Sequence, residues 1–379
     1  MKCVLAQSDF SKALKRIVKV ISQRPTHPIL VCVKLTALDG KLSVEASDLE
    51  TYELRMIDAV VDEEGSICIP AKQLADLVAK LESGQALNLY TEEYNLSIST
   101  QLGDFSIAGF PVSDWPEMHF EENNISPSAS QPVPFPRVNS LISGAISKDP
   151  GVLDGVNIRW DSSGLSFAAT DGHRLHAITL ETDSSPEETV SETIPYIAIK
   201  QLQQESGASD ISMFLGGGLV RFEHKLGFIS SRTRAMPYPD WPQLIPAPAK
   251  YVMSISLDRL ALMRAVERNL VIAVDAANFL SLSFVPAAEG VSSALSLHSY
   301  HAQGSATEKV PCESKEANSD FSVNLNSKYL LDALDAIQGD NVLIHSLANC
   351  SVAPLTLTSV DECSSVVLMP MVVNNKKPE

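Results

Sequence analysis

Hydrophobic and polar residues alternate in three similar segments of the chain, which is the pattern of strands with one buried face. The three segments lie at residues 42–48, 165–171 and 295–300. A second landmark, an aromatic-Pro pair shortly before Asp-Trp-Pro, occurs within 109–116 and again within 236–242. Two landmarks in the same order indicate a three-fold internal repeat.

Two helical patterns recur in each third. The first helix of the first third is predicted over residues 9–21, with an apolar face of Leu14, Ile17, Val18 and Ile21. Its counterparts begin near Pro136 and Asp258. Their predicted apolar positions are Val138, Leu141, Ile142 and Ala145 in the second third, and Leu260, Met263 and Val266 in the last.

The second helix of each third follows a strand, within 67–81, 194–204 and 321–337. In the first of these, Leu74, Leu77, Val78 and Leu81 are predicted to face the core. Val-, Ile-, Leu- and Thr-rich strands fill the remainder. The expected fold is therefore α+β, with two helices packed on antiparallel sheet in each repeat.

Polar, Pro-rich connectors at 121–134 and 245–250 separate the repeats. The sequence thus predicts three domains, at residues 1–122, 130–247 and 251–379. Each has a normal domain size.

The composition is that of a soluble globular protein, with 45% hydrophobic and 20% charged residues, and the pattern of its cysteines predicts a cytoplasmic one. No apolar run approaches the roughly 18 residues of a membrane helix, and the N-terminus has no signal-peptide pattern. The cysteines lie at positions 3, 32, 68, 312, 350 and 363, without a C-x-x-C pair. This spacing favours reduced thiols over a disulfide framework or a zinc site.

The formal net charge is −17 at pH 7, which by itself argues against simple nucleic-acid binding. Acids are absent, however, between Asp9 and Asp39. Within that stretch the first helix carries a stripe of cations: Lys12, Lys15, Arg16 and Lys19. A basic helix face is usually only solvated, but the lack of interleaved acids favours a surface that contacts a polyanion.

The segment "ATDGHRL" at 169–175 concentrates polar residues and has two interpretations. A hydrolase or metal site would use Asp171, His173 and His176, but no nucleophile elbow, H-E-x-x-H pattern or phosphate-binding loop accompanies them. The alternative is a hairpin in which Asp171-Gly172 forms the turn and 174–180 is the returning strand. The pattern favours the hairpin.

"ATDGHRL", "YPDWPQLIP" at 238–246 and "VVLMPM" at 366–371 resemble the bacterial DNA polymerase III beta subunits, the sliding-clamp family. "RPTHPIL" at 24–30, "DLE" at 48–50 and "IPAKQL" at 69–74 match further patterns of its first domain. The resemblance implies a homodimer of three-domain chains that closes a six-domain ring around duplex DNA. It also implies partners, namely the polymerase and a clamp loader, that bind through short peptides, and neither a cofactor nor catalysis.

The resemblance and the basic stripe together assign candidate residues. The DNA-facing candidates are Lys12, Lys15, Arg16, Lys19, Arg24, Lys72, Lys200, Arg264 and Arg268. The candidates for an apolar partner-peptide pocket are Leu153, Thr170, Gly172, His173, Arg174, Leu175, Pro239, Leu244, Val367, Met369, Pro370 and Met371. The candidates for the dimer seam are Phe105, Ile107, Val271 and Ile272.

The chain departs from the family pattern near the pocket. A tail, 372–379, follows Met371, Gln243 replaces an arginine found in some members, and 149–152 lacks aromatic residues. These departures keep a second hypothesis open, a clamp-like paralogue with altered partner specificity.

Overall fold

The structure is a computed structural model of the chain. It describes residues 1–22, 25–117, 127–129, 133–149, 151–182, 185–202, 211–273, 278–285, 293–301, 304–317, 320–349, 351–361 and 363–371. The helices in these residues are α1 (Gln7–Ile17), α2 (Ala71–Lys80), α3 (Phe135–Ile142), α4 (Tyr196–Leu202), α5 (Arg259–Ala273) and α6 (Ser327–Ala336).

The strands fall into three groups in chain order. The first ten are β1 (Lys2–Ala6), β2 (Cys32–Leu38), β3 (Lys41–Ser47), β4 (Thr51–Asp58), β5 (Val60–Glu63), β6 (Gly65–Pro70), β7 (Ala86–Glu92), β8 (Asn95–Ser99), β9 (Asp104–Ala108) and β10 (Pro127–Ala129). The middle seven are β11 (Gly155–Asp161), β12 (Gly164–Thr170), β13 (Arg174–Leu180), β14 (Val190–Pro195), β15 (Ser212–Gly216), β16 (Leu219–His224) and β17 (Gly227–Arg232). The last nine are β18 (Met253–Asp258), β19 (Phe279–Phe284), β20 (Ala294–His301), β21 (Gly304–Pro311), β22 (Glu313–Ala317), β23 (Phe321–Asn326), β24 (Asn341–Ser346), β25 (Leu355–Ser359) and β26 (Ser364–Leu368).

The α+β prediction is confirmed, because helices pack on sheets whose described strand pairs all run antiparallel. The three alternating segments of the sequence are the strands β3, β12 and β20. Each third also carries two helices among its described residues.

The chain forms two compact units. Unit 1 comprises Met1–Pro134 and Ile197–Arg234. It holds a five-stranded sheet, in the order β5-β1-β7-β8-β9, and an eight-stranded sheet, in the order β10-β15-β16-β17-β4-β3-β2-β6. Helices α1 and α2 contact each other, and Phe10, Leu14, Ile17, Leu74 and Val78 bury their side chains in one core with both sheets.

Unit 2 comprises Phe135–Tyr196 and Ala235–Glu379. It holds a nine-stranded sheet, in the order β14-β11-β12-β13-β26-β25-β24-β18-β22, and a four-stranded sheet, in the order β21-β20-β19-β23. Helix α6 contacts both α3 and α5. The nine-stranded sheet brings β13, which begins in "ATDGHRL", beside β26, which runs into "VVLMPM".

The predicted bounds of the first helix were wrong at both ends. Helix α1 starts at Gln7, whose buried amide donates to the Val78 carbonyl at 2.7 Å and so ties the start of α1 to α2. The helix ends at Ile17 rather than Ile21 because the following N–H groups bond three residues back, as from Val20 to the Ile17 carbonyl at 3.1 Å. The β-branched residues at 18, 20 and 21 favour this early end.

The apolar face of α3 was predicted correctly, but that of α5 was predicted correctly only at Val266, with Met263 half-buried and Leu260 exposed. In α3 and the turn after it, Val138, Leu141, Ile142 and Ala145 are all buried. In α5 the buried face is Leu262, Ala265, Val266 and Asn269, whereas Leu260 is 45% exposed. The pattern concealed this face because it contains a polar residue, Asn269, whose amide donates to the Ala265 carbonyl at 2.9 Å.

Two sheets run across the predicted domain boundaries. In unit 1, β4 of the first third pairs with β17 of the second, and in unit 2, β13 of the second third pairs with β26 of the last. Such pairing removes an open strand edge from each repeat. The boundaries at 122–130 and 247–251 therefore stay a prediction.

The cysteines Cys3, Cys32 and Cys68 are free and buried, and Cys312 and Cys363 are free and half-buried. Cys350 lies outside the described residues. Among the helices of the described chain, none has both the length and the apolar character needed to cross a membrane.

Candidate functional site

The "ATDGHRL" stretch forms a turn between β12 and β13 that its own polar side chains hold closed. Asp171 Oδ1 accepts hydrogen bonds from the backbone N–H groups of His173 at 3.0 Å and Arg174 at 3.1 Å. Thr170 Oγ1 accepts from the Gly172 N–H at 3.1 Å and donates to the Arg174 carbonyl at 2.6 Å. Gly172 has φ +86°, a conformation that glycine adopts without steric cost. The predicted Asp-Gly hairpin is confirmed.

The Arg174 guanidinium is held between two acids and an aromatic ring. Its Nε donates to Asp171 Oδ2 at 3.0 Å, and its Nη1 donates to Asp332 Oδ2 at 2.5 Å. Its Cζ lies 4.2 Å from the ring centre of Tyr329, on which the His173 ring also stacks. The side chains of Arg174 and Asp171 are only 11% and 16% exposed, so this pair is largely shielded from water and holds the hairpin more firmly than a surface ion pair would. The Asp332 side chain is 48% exposed, so its bond to Arg174 is open to solvent.

An apolar cluster lies beneath this hairpin. Its buried members are Ala168, Leu175, Ala177, Trp241 and Val367, and Tyr238 and Ile245 pack against them. Leu175 and Val367 are direct partners in the pairing of β13 with β26. The predicted pocket residues Leu244 and Met369 are about half exposed, at 50% and 47%. Unit 2 therefore presents exposed apolar side chains next to a buried apolar floor.

Hydrogen bonds join three segments around the cluster. The Tyr238 hydroxyl accepts from the Thr170 N–H at 2.9 Å, and burial raises the pKa of Tyr238 to about 12. The Met369 N–H donates to the His173 carbonyl at 3.0 Å, and the Met371 N–H donates to the Asn324 carbonyl at 2.7 Å. The hairpin, the 238–241 segment and residues 369–371 are thus fixed relative to one another.

These contacts join some of the predicted pocket residues and leave others unconnected to them. The residues that they bring together are Thr170, Gly172, His173, Arg174, Leu175, Val367, Met369 and Met371. Leu153 and Pro370 are half-buried and Pro239 is exposed, so their part in the site stays a prediction. The 372–379 tail lies outside the described residues.

The three residues of the alternative hydrolase or metal hypothesis, Asp171, His173 and His176, each have a different structural role. Asp171 closes the turn, and His173 stacks on Tyr329. His176 is fully buried, with Nδ1 2.7 Å from the Leu141 carbonyl, and burial lowers its pKa to about 4. Across the described residues, the structure contains no cluster of three metal-ligating side chains. His176 is a neutral core residue at pH 7.

A cationic surface lies on α1 in unit 1. Lys12, Lys15 and Lys19 are exposed. Arg16 is half-buried, and its Nη2 donates to the Gln201 carbonyl at 3.0 Å, while the Gln201 amide donates to the Arg16 carbonyl at 3.1 Å. This reciprocal pair places α1 beside α4, which carries Lys200.

The cations of α1 and α4 act on one another. The pKa of Lys19 is lowered by its partial burial and then by repulsion from Arg16, Lys15 and Lys200. Four positive charges therefore lie close enough to feel each other's field in a protein of net charge −17. The structure places Lys200, which is predicted to face DNA, close to the cations of α1.

The remaining DNA-facing candidates lie on other elements. Lys72 is exposed on α2 and Arg264 is exposed on α5. Arg268, also on α5, donates through Nε to Glu308 at 3.2 Å and makes a second contact through Nη2, so its charge is largely compensated. The hydrogen bond to Glu308 raises the pKa of Arg268. Arg24 lies outside the described residues.

The predicted seam residues lie at sheet edges and helix ends. Phe105 is 37% exposed on β9, the last strand of the five-stranded sheet. Ile107, on the same strand, is only 3% exposed and packs in the unit 1 core. Val271, near the end of α5, is 75% exposed, and Ile272 is half-buried. Phe105 and Val271 thus expose apolar side chains, and their part in a dimer seam, with that of Ile107 and Ile272, stays a prediction.

Sequence reasoning missed several residues that build these sites. Tyr329 and Asp332 fix Arg174 although they are more than 150 positions away in the chain, and no local pattern connects them. The side-chain amide of Gln201 donates to the Arg16 carbonyl, and the backbone carbonyl of Asn324 accepts from the Met371 N–H. The sequence pattern does not reveal either contact. Tyr238 belongs to a motif that the sequence does show, but its bond to Thr170 required the structure.

Three family models match the chain in order. They are the N-terminal, central and C-terminal domains of the DNA polymerase III beta subunit, matched at residues 1–119, 141–240 and 242–372. Together they span nearly the whole chain, and they agree with the three repeats found in the sequence.

Individual relatives agree with the family models. A beta sliding clamp from Synechococcus elongatus is 28% identical over 360 residues, covering 93% of this chain and 94% of that protein. A beta sliding clamp from Caulobacter vibrioides is 26% identical over 383 residues, covering 98% and 100%. A solved DNA polymerase sliding clamp from Caulobacter crescentus superposes with a TM-score of 0.85 at 25% identity, covering 98% of this chain and all of that one.

Proposed function

We infer that this chain, which belongs to the DNA polymerase III beta subunit family, is a DNA sliding clamp. It encircles duplex DNA as a homodimeric ring and tethers the replicative polymerase and other partners for processive synthesis. A ring holds DNA by topology, so the protein needs only weak phosphate contacts that carry no sequence information.

The observation that carries this function is the cationic surface of Lys15, Arg16, Lys19 and Lys200. Mutual repulsion among these residues contributes to the lowered pKa of Lys19, so keeping them together costs free energy. A protein with 46 acidic and 29 basic residues has no need of such a cluster for solubility. A polyanion that neutralises the four charges relieves the repulsion, and the acidic remainder of the chain disfavours DNA binding elsewhere.

The partner site is the apolar cluster and hairpin of unit 2. Leu175 and Val367 form its floor, Leu244 and Met369 offer exposed apolar surface, and the locked Arg174 marks one end. Short peptides with hydrophobic anchors fit such a surface, and methionine side chains adapt to varied ligands. Leu153, Pro239, Pro370 and Met371 complete the proposed pocket.

The ring closes through two seams in the dimer. Phe105 on β9 of one chain, supported by the buried Ile107 beneath it, meets Val271 and Ile272 near β21 of the other. The support is the exposure of Phe105 and Val271, and the position of β9 and β21 at the ends of their sheets. Edge strands are natural templates for pairing with another chain.

The protein acts by binding and has no catalytic activity of its own. Its domains are residues 1–122, 130–247 and 251–379, and it works in the cytoplasm with a separate ATP-driven loader that opens the ring. The remaining DNA contacts come from Lys12, Arg24, Lys72, Arg264 and Arg268, the last of which contributes least while it is paired with Glu308.

The salt dependence of DNA binding tests the role of the cationic surface. Replacement of Lys15 and Lys19 by Gln should make the slope of log Kobs against log salt shallower by about 1 to 2, because each lost phosphate contact removes about 0.9. The double variant Lys250→Gln/Lys309→Gln has the same net charge and alters exposed residues of unit 2. Equal slopes for the two double variants would refute the proposed DNA surface.

A further inference from the structure

A second charged feature of unit 1 is a cleft of about 650 Å³ beside α1, here called the α1–β17 cleft. Its walls come from α1, from the ends of β3 and β4, and from the turn between β16 and β17. Its basic lining residues are Lys12, Arg16, Lys41, Arg55 and Lys225. Only Lys12 and Arg16 belong to the predicted DNA-facing set.

The basic residues of the cleft outnumber its acids. Asp9 and Asp58 are the acidic lining residues, against five Lys and Arg residues. In the whole chain the ratio is reversed, with 46 acids and 29 bases. The cleft is therefore a local concentration of positive charge, which is the electrostatic signature of an anion site.

The cations at the rim are available to a ligand. In the described part of the chain, neither Lys41 nor Lys225 forms an ion pair, and both are exposed. Lys12 lies 4.0 Å from Asp9, and both of those side chains are largely exposed, so that pair is weak. Three lysines from three separate elements thus line the cleft, and the one ion pair among them, Lys12–Asp9, is weak.

An ion pair and a backbone hydrogen bond hold the base of the cleft in place. Arg55 is only 3% exposed and is held by Glu53 at 2.5 Å. The Met56 N–H donates to the Leu226 carbonyl at 2.7 Å, which fixes β4 to the β16–β17 turn. Met56 and Leu226 are 38% and 48% exposed, so the cleft pairs cations with an apolar wall.

We propose that the α1–β17 cleft binds the phosphate chain of a free nucleoside polyphosphate. A single phosphate would use neither the apolar wall nor the full volume, which lies within the range of small-molecule sites. Lysines supply point charges to the phosphates, and Met56 and Leu226 contact the sugar or base. This nucleotide site goes beyond the proposed sliding-clamp function and does not depend on it.

Calorimetric titration of the full-length protein at low salt tests the proposal with inorganic tripolyphosphate, ATP and a short DNA duplex as separate probes. Lys41→Gln/Lys225→Gln should weaken the binding of tripolyphosphate and ATP by about tenfold or more, since each lost charge-assisted contact contributes roughly 1 kcal/mol or more. Lys41→Arg/Lys225→Arg, which keeps the charges, should bind like the unaltered protein. Lys250→Gln, outside the cleft, should have no effect.

The probes distinguish the source of the phosphate. Weakened binding of tripolyphosphate and ATP supports the nucleotide site. Weakened binding of the duplex alone overturns it, because that loss reports only the DNA contacts already proposed for α1. If no probe binds, or if the Gln variant binds every probe as tightly as the Lys250→Gln control, the proposal is overturned. Retention of the clamp on circular DNA is unaffected by a free-nucleotide site, so failure here and failure of the proposed function are separable. Unchanged thermal unfolding confirms that each variant is folded.

Discussion

Two hairpins of the molecule share one turn design and differ in what is attached to it. In the β3–β4 turn, Asp48 Oδ1 accepts from the N–H groups of Glu50 at 3.0 Å and Thr51 at 2.6 Å, and Ser47 Oγ accepts from Leu49 and donates to the Thr51 carbonyl. The β12–β13 turn repeats each of these bonds with Asp171 and Thr170. The repeated turn is therefore scaffold.

The differences lie in the side chains that leave the turn. The position of Thr51 in the first hairpin is occupied by Arg174 in the second, which reaches Asp332 and Tyr329. Both returning strands pair with a strand of the next third, β4 with β17 and β13 with β26. A common turn with one altered position thus gives unit 2 an anchored arginine at the proposed partner site, while the turn itself is shared by both hairpins.

The largest expected effect concerns the buried ionisable residue two positions into each returning strand. Glu53 is paired with Arg55, whereas His176 is neutral, with a pKa lowered by burial to about 4. A depressed pKa means that the unfolded chain binds the proton first, so stability present above about pH 6.5 is lost as the pH falls toward 4. The loss approaches about 3 kcal/mol.

Urea unfolding of the unaltered protein and His176→Gln between pH 7 and pH 4 measures this difference. The unaltered protein should lose more stability on acidification than the variant, which has no group to protonate at that position. Parallel pH dependence of the two proteins would show that His176 is not the buried neutral group described here.

The next effect separates the two hairpins by peptide binding. Arg174→Ala should weaken binding of a Gln-Leu-x-Leu-Phe-type peptide by about 30-fold or more, because it leaves Asp171 and Asp332 without their shared cation and releases the hairpin. Thr51→Val, at the equivalent position of the first hairpin, should leave peptide binding unchanged. Fluorescence anisotropy with a labelled peptide measures both, and equal losses would mean that the two turns are not functionally distinct.

A smaller effect is expected from the positioning residue Asp332. Asp332→Asn keeps a hydrogen-bond acceptor but removes the charge that holds Arg174, so peptide affinity should fall by about tenfold. Asp335→Asn, an exposed acid one turn further along α6, is the matched control. The loss for Asp332→Asn should shrink at high salt, and a loss that matched the control would remove Asp332 from the site.

The smallest effect comes from the left-handed residue of each turn. Leu49 has φ +76° and Gly172 has φ +86° at equivalent positions. Leu49→Gly should therefore stabilise unit 1 by up to about 1 kcal/mol, and Gly172→Ala should destabilise unit 2 by a similar amount. Thermal unfolding measures both changes, and effects of the same sign would contradict the shared turn geometry.

Local pattern predicted the parts of this fold that depend on neighbouring residues. The alternation of 165–171 gave the strand β12, the Asp-Gly pair gave the turn, and helical spacing gave the buried face of α3. In α5 it found only Val266 of the buried face, because the buried Asn269 interrupts the apolar stripe. It failed at the start of α1, where Gln7 is buried for a hydrogen bond rather than for its hydrophobicity.

Contacts between distant segments of the chain could not be predicted from the sequence pattern. The floor of the partner site depends on pairing Leu175 with Val367, and the orientation of Arg174 depends on Asp332. Neither contact leaves a periodic trace, because each joins segments that are distant in the chain. The site residues came from the family resemblance, and the structure added the residues that position them.

Retention on circular DNA tests the central claim most directly. The protein is loaded onto a nicked circular plasmid with an ATP-driven loader, separated from free protein by gel filtration, and compared with the same sample after the plasmid is cut once. A sliding clamp remains on the circle and is lost from the linear DNA, because nothing but topology retains it. Equal retention on both forms, or retention on neither, would contradict the account.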